Sequence, residues 1–233
     1  MSAIIIGILL AGVPVVLAIT LHEAAHGYAA LAMGDDTAKL AGRLSLNPLR
    51  HIDRVGTILL PGILVISQLL VFHRILFLFG WAKPVPVGAW KFRDPRRGMA
   101  VVAAAGPAMN FFLAWLGALA LYLPGVLPGL VSDLATLFCQ YFILANLVLG
   151  LFNLLPIPPL DGGRIIVGLL PAPLALAYAR VERVGILIVL MAFFLLPALL
   201  QGAGIAFDPI RAVLDRVLPA AANLVLILAG HRV

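Results

Sequence analysis

The chain reads as an all-α polytopic membrane protein, a helical bundle whose spans cross a bilayer several times. Three observations lead there. Hydrophobic residues make up 63% of the 233 and charged residues only 11%, where a soluble domain would carry about 25% charged residues. Too few polar side chains remain to cover a core. The charges also punctuate the sequence, leaving long uncharged runs; Gly98 to Ser132 carries none. Lipid-exposed backbone must satisfy its own hydrogen bonds, which makes such runs helices.

Segment one is Ser2 to Met33, interrupted only by His22, Glu23 and His26. It has no basic region ahead of it and no convincing cleavage site, so it reads as a retained span rather than a signal peptide. A polar stretch, Gly34 to Arg54, leads to segment two, Val55 to Trp81, which His73 and Arg74 break. The Pro-rich basic loop Ala82 to Gly98 precedes segment three, Met99 to Leu123, and the turn Pro124 to Gly129 closes it. Segment four runs from Leu134 to about Leu155 and ends in PIPPLDGGR, Pro156 to Arg164. After the short apolar piece Ile165 to Leu170 come segment five, Val184 to Leu200, and a last stretch, Val217 to Gly230. That last stretch falls short of the roughly 20 residues a span takes. The whole is expected to be one domain, with a core over about 1–170 and accessory helices over about 171–233.

The net charge of +6 does not point to nucleic acid. Ten of the sixteen Lys and Arg lie between Lys39 and Arg97, beside apolar runs, where cationic loops report orientation and contact anionic lipid. The two basic loops pose a conflict. The positive-inside rule places both in the cytoplasm, yet one crossing by segment two would separate them. A re-entrant hairpin or embedded helix in segment two resolves it, with Pro61–Gly62 as an early break. The single cysteine, Cys139, excludes an intrachain disulfide and a Cys-based zinc site.

His22-Glu23-Ala24-Ala25-His26 fits H-E-x-x-H. Residues four apart share one face of a helix, so both imidazoles can reach one metal ion. Glu23 can orient and deprotonate a water beside it. Ionisable groups at the end of a membrane helix are costly and normally mark function; snorkelling to the interface is the plain alternative. A catalytic zinc usually takes three protein ligands. Asp161 stands out as the third, because Pro156, Pro158 and Pro159 deny regular helix before it and Gly162 and Gly163 allow close approach after it. An ordinary Asp-Gly turn explains the same residues. His51 is a rival ligand, and His73 and His231 are weaker ones.

HEAAH at the end of the first span, NLLPIPPLDGGR after a later one and AAGPAMN (Ala104 to Asn110) between them together resemble the site-2 protease family of intramembrane zinc metalloproteases. FGWAKPVPV (Phe79 to Val87) and GRLSLNPLRHID (Gly42 to Asp53) resemble its compact bacterial and archaeal branch. The resemblance covers Leu21 to about Leu170. It implies Zn2+ held by His22, His26 and Asp161, with Glu23 catalytic. It implies Asn153 as a donor to substrate or oxyanion, and Gly106 and Asn110 as packing and polar support on the middle helix of a three-helix catalytic core. It implies a membrane-associated strand region, for which Gly42 to Arg50 is the candidate. Asn146 is expected to bond between helices. No stretch of these 233 residues is long or polar enough for the PDZ or CBS domain of some relatives.

The implied reaction is hydrolysis of a peptide bond in or beside a transmembrane segment of a protein substrate. The implied place is a prokaryotic cell membrane, multi-pass, with the active site toward the cytoplasm. The partners are that substrate and the lipid bilayer, without nucleic acid; a homo-oligomer or a regulatory membrane partner is left open. A non-proteolytic transporter or metal-binding membrane protein is the competing class, and it needs neither Glu23 beside the first histidine nor a catalytic metal.

Overall fold

The structure, a computed structural model, describes residues 2–73, 80–205 and 209–232. It is helical: α1 (Ser2–Ala32), α2 (Thr37–Leu40), α3 (Leu60–Phe72), α4 (Pro95–Ala120), α5 (Gly129–Asn153), α6 (Asp161–Leu169), α7 (Ala172–Ala179), α8 (Glu182–Leu190), α9 (Leu196–Gly202) and α10 (Pro209–Leu228). Among the described residues no strand occurs. Three helical stretches are long and apolar enough to cross a membrane: Leu9–Ala32, Pro95–Val126 and Gly129–Asn153. Segments one, three and four therefore appear as expected. Segment five is divided into α8, a π-helical turn over Met191–Leu195, and α9.

Helices α1, α4 and α5 pack against one another, and α6 packs on α4. Small residues on α4 permit this. Ala103, Gly106, Pro107, Asn110, Ala114, Gly117 and Ala118 are all buried and recur at three- and four-residue spacing, the pattern that lets membrane helices approach closely. Asp94 sets the start of α4, accepting from the amides of Arg96 and Arg97, with Pro95 in the first turn. Along α1 from His22 to His26, the partners on α4 recede from Asn110 to Val102, so the two helices are antiparallel. At the far end, Val225 of α10 and Ala229 just after it cover Ala114, Ala118, Ile143 and Leu147. Helix α10 starts well before Val217, which is why it reaches full helix length.

The two basic loops lie together. Gly88 N donates to Asp35 Oδ2 (2.6 Å), Lys83 N to His51 O (2.8 Å) and the Arg43 guanidinium to Lys83 O (2.7 Å). Both ends of segment two meet as well: Trp81 N donates to Gly56 O (3.1 Å) and the Thr57 hydroxyl to Trp81 O (2.8 Å). The two ends of segment two thus lie side by side, and both basic loops sit at the same end of the bundle. Arg74 and Phe79 lie outside the described residues.

The strand expected over Gly42 to Arg50 does not form. Gly42 has φ 63°, Pro48 opens a 3-10 turn to His51 capped by Asn47, and Arg50 Nη1 binds Gly42 O (2.6 Å). Arg43 reaches back to Arg50 O. The segment closes on itself instead of presenting a free edge.

Asp35 ties these loops down and makes them acid-sensitive. It is fully buried. Burial alone would raise its carboxyl, but the Thr37 hydroxyl, the Gly88 and Thr37 amides and Lys91 hold it below the ordinary 3.8. A depressed carboxyl contributes stability that is complete above the unfolded value and lost as pH falls through the folded one. Hydrogen-exchange protection at the Gly88 amide is therefore expected to stay level from about pH 7 to 5 and to fall only below the usual carboxylate range. A decline that begins near pH 6 would assign the loop's docking to another group.

Candidate metal centre

Each member of the site comes from a different part of the core. His22 and His26 stand one turn apart on α1, and their Nε2 atoms are 3.0 Å apart. The chain beyond α5 cannot continue as helix through Pro156, Pro158 and Pro159, and it turns back so that α6 begins at Asp161. Gly162 and Gly163 make that turn fit. A Cβ on Gly162 would meet Leu154 O at 2.3 Å, and one on Gly163 would meet Pro158 N at 2.6 Å. Asp161 Oδ2 consequently lies 3.1 Å from His22 Nε2 and 3.3 Å from His26 Nε2.

This donor set fits a metal ion. His26 Nδ1 lies 2.7 Å from Val102 O. A carbonyl only accepts, so Nδ1 carries the proton and Nε2 presents a lone pair. Asp161 Oδ2 is buried without a hydrogen-bond partner, an arrangement that calls for a cation. His22, His26 and Asp161 are the group of His, Cys, Asp and Glu side chains found close enough together to share one ion among the described residues. Edges of 3.0 to 3.3 Å are close to the roughly 3.3 Å expected between tetrahedral ligands at about 2.0–2.1 Å from zinc.

Three further groups surround the triad. Glu23 Oε2 accepts from Val85 N (3.0 Å). Val85 lies between Pro84 and Pro86, which have no N–H, so it supplies the sole amide donor of that trio. The segment Trp81 to Val87 lines a cavity of about 320 Å³ together with His22, Glu23, His26, Asn153 and Asp161. Asn153 gives one Nδ2 hydrogen to Leu149 O (3.0 Å). Behind the triad, Asn110 Oδ1 is 2.6 Å from His22 Nδ1, and Gly106 lies flat against both imidazoles.

All seven residues singled out in the sequence thus meet around one cavity or directly behind it. The rival histidines lie elsewhere. His51 is buried in the loop, with Nε2 2.8 Å from Ser45 O. His73 ends α3 at φ 55°. His231 sits at the opposite end of α4, against Ala118 O (2.8 Å) and stacked on Tyr122. Sequence reasoning did not find Val85 or Val102, since backbone groups leave no residue-type signal. Asn146 had one, a carboxamide inside an apolar helix, but its connection to the metal centre was not apparent from position alone.

The family described as "Peptidase family M50" matches residues 129–197, which carry Asn146, Asn153 and Asp161. Over 185 residues the chain is 41% identical to "Putative zinc metalloprotease YwhC" of Bacillus subtilis (strain 168), covering 78% of each chain. It is 49% identical over 67 residues to "Putative zinc metalloprotease Rip3" of Mycobacterium tuberculosis (strains Erdman and H37Rv), covering 28% of this chain and 16% of that one. No solved structure matches.

Proposed function

The chain belongs to peptidase family M50, and from that premise we propose that it is a zinc-dependent intramembrane protease that hydrolyses a peptide bond within or next to a transmembrane segment of a substrate protein. The observation that carries the reading is the meeting of His22 Nε2, His26 Nε2 and Asp161 Oδ2 beside Glu23 in one cavity among apolar helices. His22, His26 and Asp161 would hold zinc. When bound, zinc supplies Lewis acidity at the scissile carbonyl oxygen.

The chain's own groups do the rest. Glu23 takes the proton from the attacking water and delivers it to the leaving amine nitrogen. The Val85 amide fixes one Glu23 oxygen, which leaves the other to face the reacting water. Asn153 has a second Nδ2 hydrogen free of Leu149, suited to the oxyanion that develops on the carbonyl. A helical substrate carbonyl is already hydrogen-bonded, so the substrate segment must unwind before it enters. Both basic loops lie at the end of α1 that follows the metal centre, and the positive-inside rule puts that end in the cytoplasm.

The test uses protein purified in detergent, then reconstituted with a single-span substrate. About one equivalent of zinc per chain and a cut within or beside the span are expected. Absence of metal, or cutting confined to the substrate's soluble part, would overturn the reading. Asp161→Ala is expected to weaken zinc by more than the roughly 100-fold that loss of an outer-shell partner costs. Unchanged affinity in that variant would mean another ligand.

A further inference from the structure

We infer that Asn146 of α5 is a positioning residue for the metal centre: acting through Asn110, it dictates which nitrogen of His22 is free to bind metal. The inference rests on the zinc reading above and goes beyond it by assigning the control of ligand orientation to a residue that touches neither metal nor substrate. Asn110 and Asn146 are both fully buried, where each unpaired amide group is expensive.

The direction of every bond in the chain follows from two backbone carbonyls. Asn146 Nδ2 lies 2.9 Å from Phe142 O. A carbonyl cannot donate, so the amide nitrogen must face it, and Asn146 Oδ1 must face α4. Asn110 Nδ2 then donates to Asn146 Oδ1 at 2.9 Å. The same Nδ2 lies 3.3 Å from Ala18 O on α1, which demands a donor for the same reason. With its nitrogen so occupied, Asn110 presents Oδ1 to His22 Nδ1 at 2.6 Å. An oxygen there requires the proton on Nδ1 and leaves a lone pair on Nε2, the atom that faces Asp161.

The opposite polarity is excluded by the same contacts. An Asn110 turned by half a rotation would offer N–H to His22 Nδ1 and move the ring proton to Nε2. It would also set Oδ1 against Asn146 Oδ1 and against Ala18 O, two acceptor-acceptor contacts in a buried site. Of the two restraints on Asn110 Nδ2, the bond to Asn146 is the shorter. Removing Asn146 leaves only the longer one to Ala18.

The experiment measures zinc affinity by chelator competition in the wild type, Asn146→Leu, Asn110→Ala and the double variant. Leu has the same branched side-chain skeleton as Asn and lacks the acceptor. Asn146→Leu is expected to weaken zinc about 10-fold or more, within the range for outer-shell partners. The double variant is expected to match Asn110→Ala alone, because the effect passes through Asn110. Additive losses, or an Asn146→Leu affinity within twofold of the wild type, would overturn the inference while leaving the zinc reading intact. A wild type without zinc would overturn both. Should Asn146→Leu fail to fold, nitrogen NMR of histidine-labelled, zinc-loaded wild type decides: coordination of His22 through Nε2 with Nδ1 protonated supports the relay, and coordination through Nδ1 ends it.

Discussion

Glu23→Gln is expected to abolish peptide-bond cleavage while the protein keeps its fold and its zinc. Glutamine has almost the same shape, and its carbonyl oxygen can still accept from the Val85 amide now 3.0 Å from the carboxylate. The strap from Trp81 to Val87 keeps its anchor, so the cavity wall should stay in place. What the amide lacks is basicity: it can neither take a proton from water nor return one to the leaving amine. General acid–base catalysis of this kind contributes about 10²–10⁴-fold, and one residue serves both transfers, so a loss toward the upper end is expected. The measurement is turnover of a reconstituted single-span substrate beside zinc content on the same preparation. Activity within tenfold of the wild type would remove Glu23 from the proton path. Loss of zinc together with activity would instead mean that the side chain supports the metal, and its position one residue after His22 would then have another explanation.

The fold was legible where one physical demand dominated. Bilayer crossing imposes length and apolarity together, and the apolar bodies of α1, α4 and α5 coincide with the uncharged runs, although α4 starts four residues and α5 five residues ahead of them. The H-E-x-x-H spacing is a local property of a helix, so its two imidazoles could be expected on one face. Asp161 is more instructive. Its sequence surroundings are equally those of a turn, and only the return of the chain after α5 brings its carboxylate to the imidazoles. Two readings needed contacts that a sequence does not contain. The pairing of the two ends of segment two rests on Trp81 meeting Gly56, a contact the charge pattern could only hint at. The missing strand over Gly42 to Arg50 follows from arginines that bind carbonyls of their own loop; alternation of polar and apolar residues suits a strand but does not report such capture.

Gly106→Ala is expected to cost the protein most of its zinc without unfolding it, and the reason lies in how tightly the imidazoles are held. An added Cβ would lie 2.5 Å from Cε1 and Nε2 of His26 and 2.6 Å from Cε1 of His22, distances that real carbon contacts do not reach. A flexible side chain could swing aside; these rings cannot. The Nδ1 of His26 is pinned to Val102 O and that of His22 to Asn110, and both rings stand on α1, whose backbone packs against the same face of α4. The methyl group must therefore push the rings off Asp161 or part the helices. Either shift exceeds the about 0.5 Å tolerance of a working site, and zinc affinity is expected to fall about 100-fold or more. Gly125→Ala, where nothing lies within 4 Å, is the matched control and should bind zinc as the wild type does. The strongest opposing result would be a Gly106→Ala protein with full affinity: the imidazoles would then be free to retreat, and the close contact between α1 and α4 could not be what aims them.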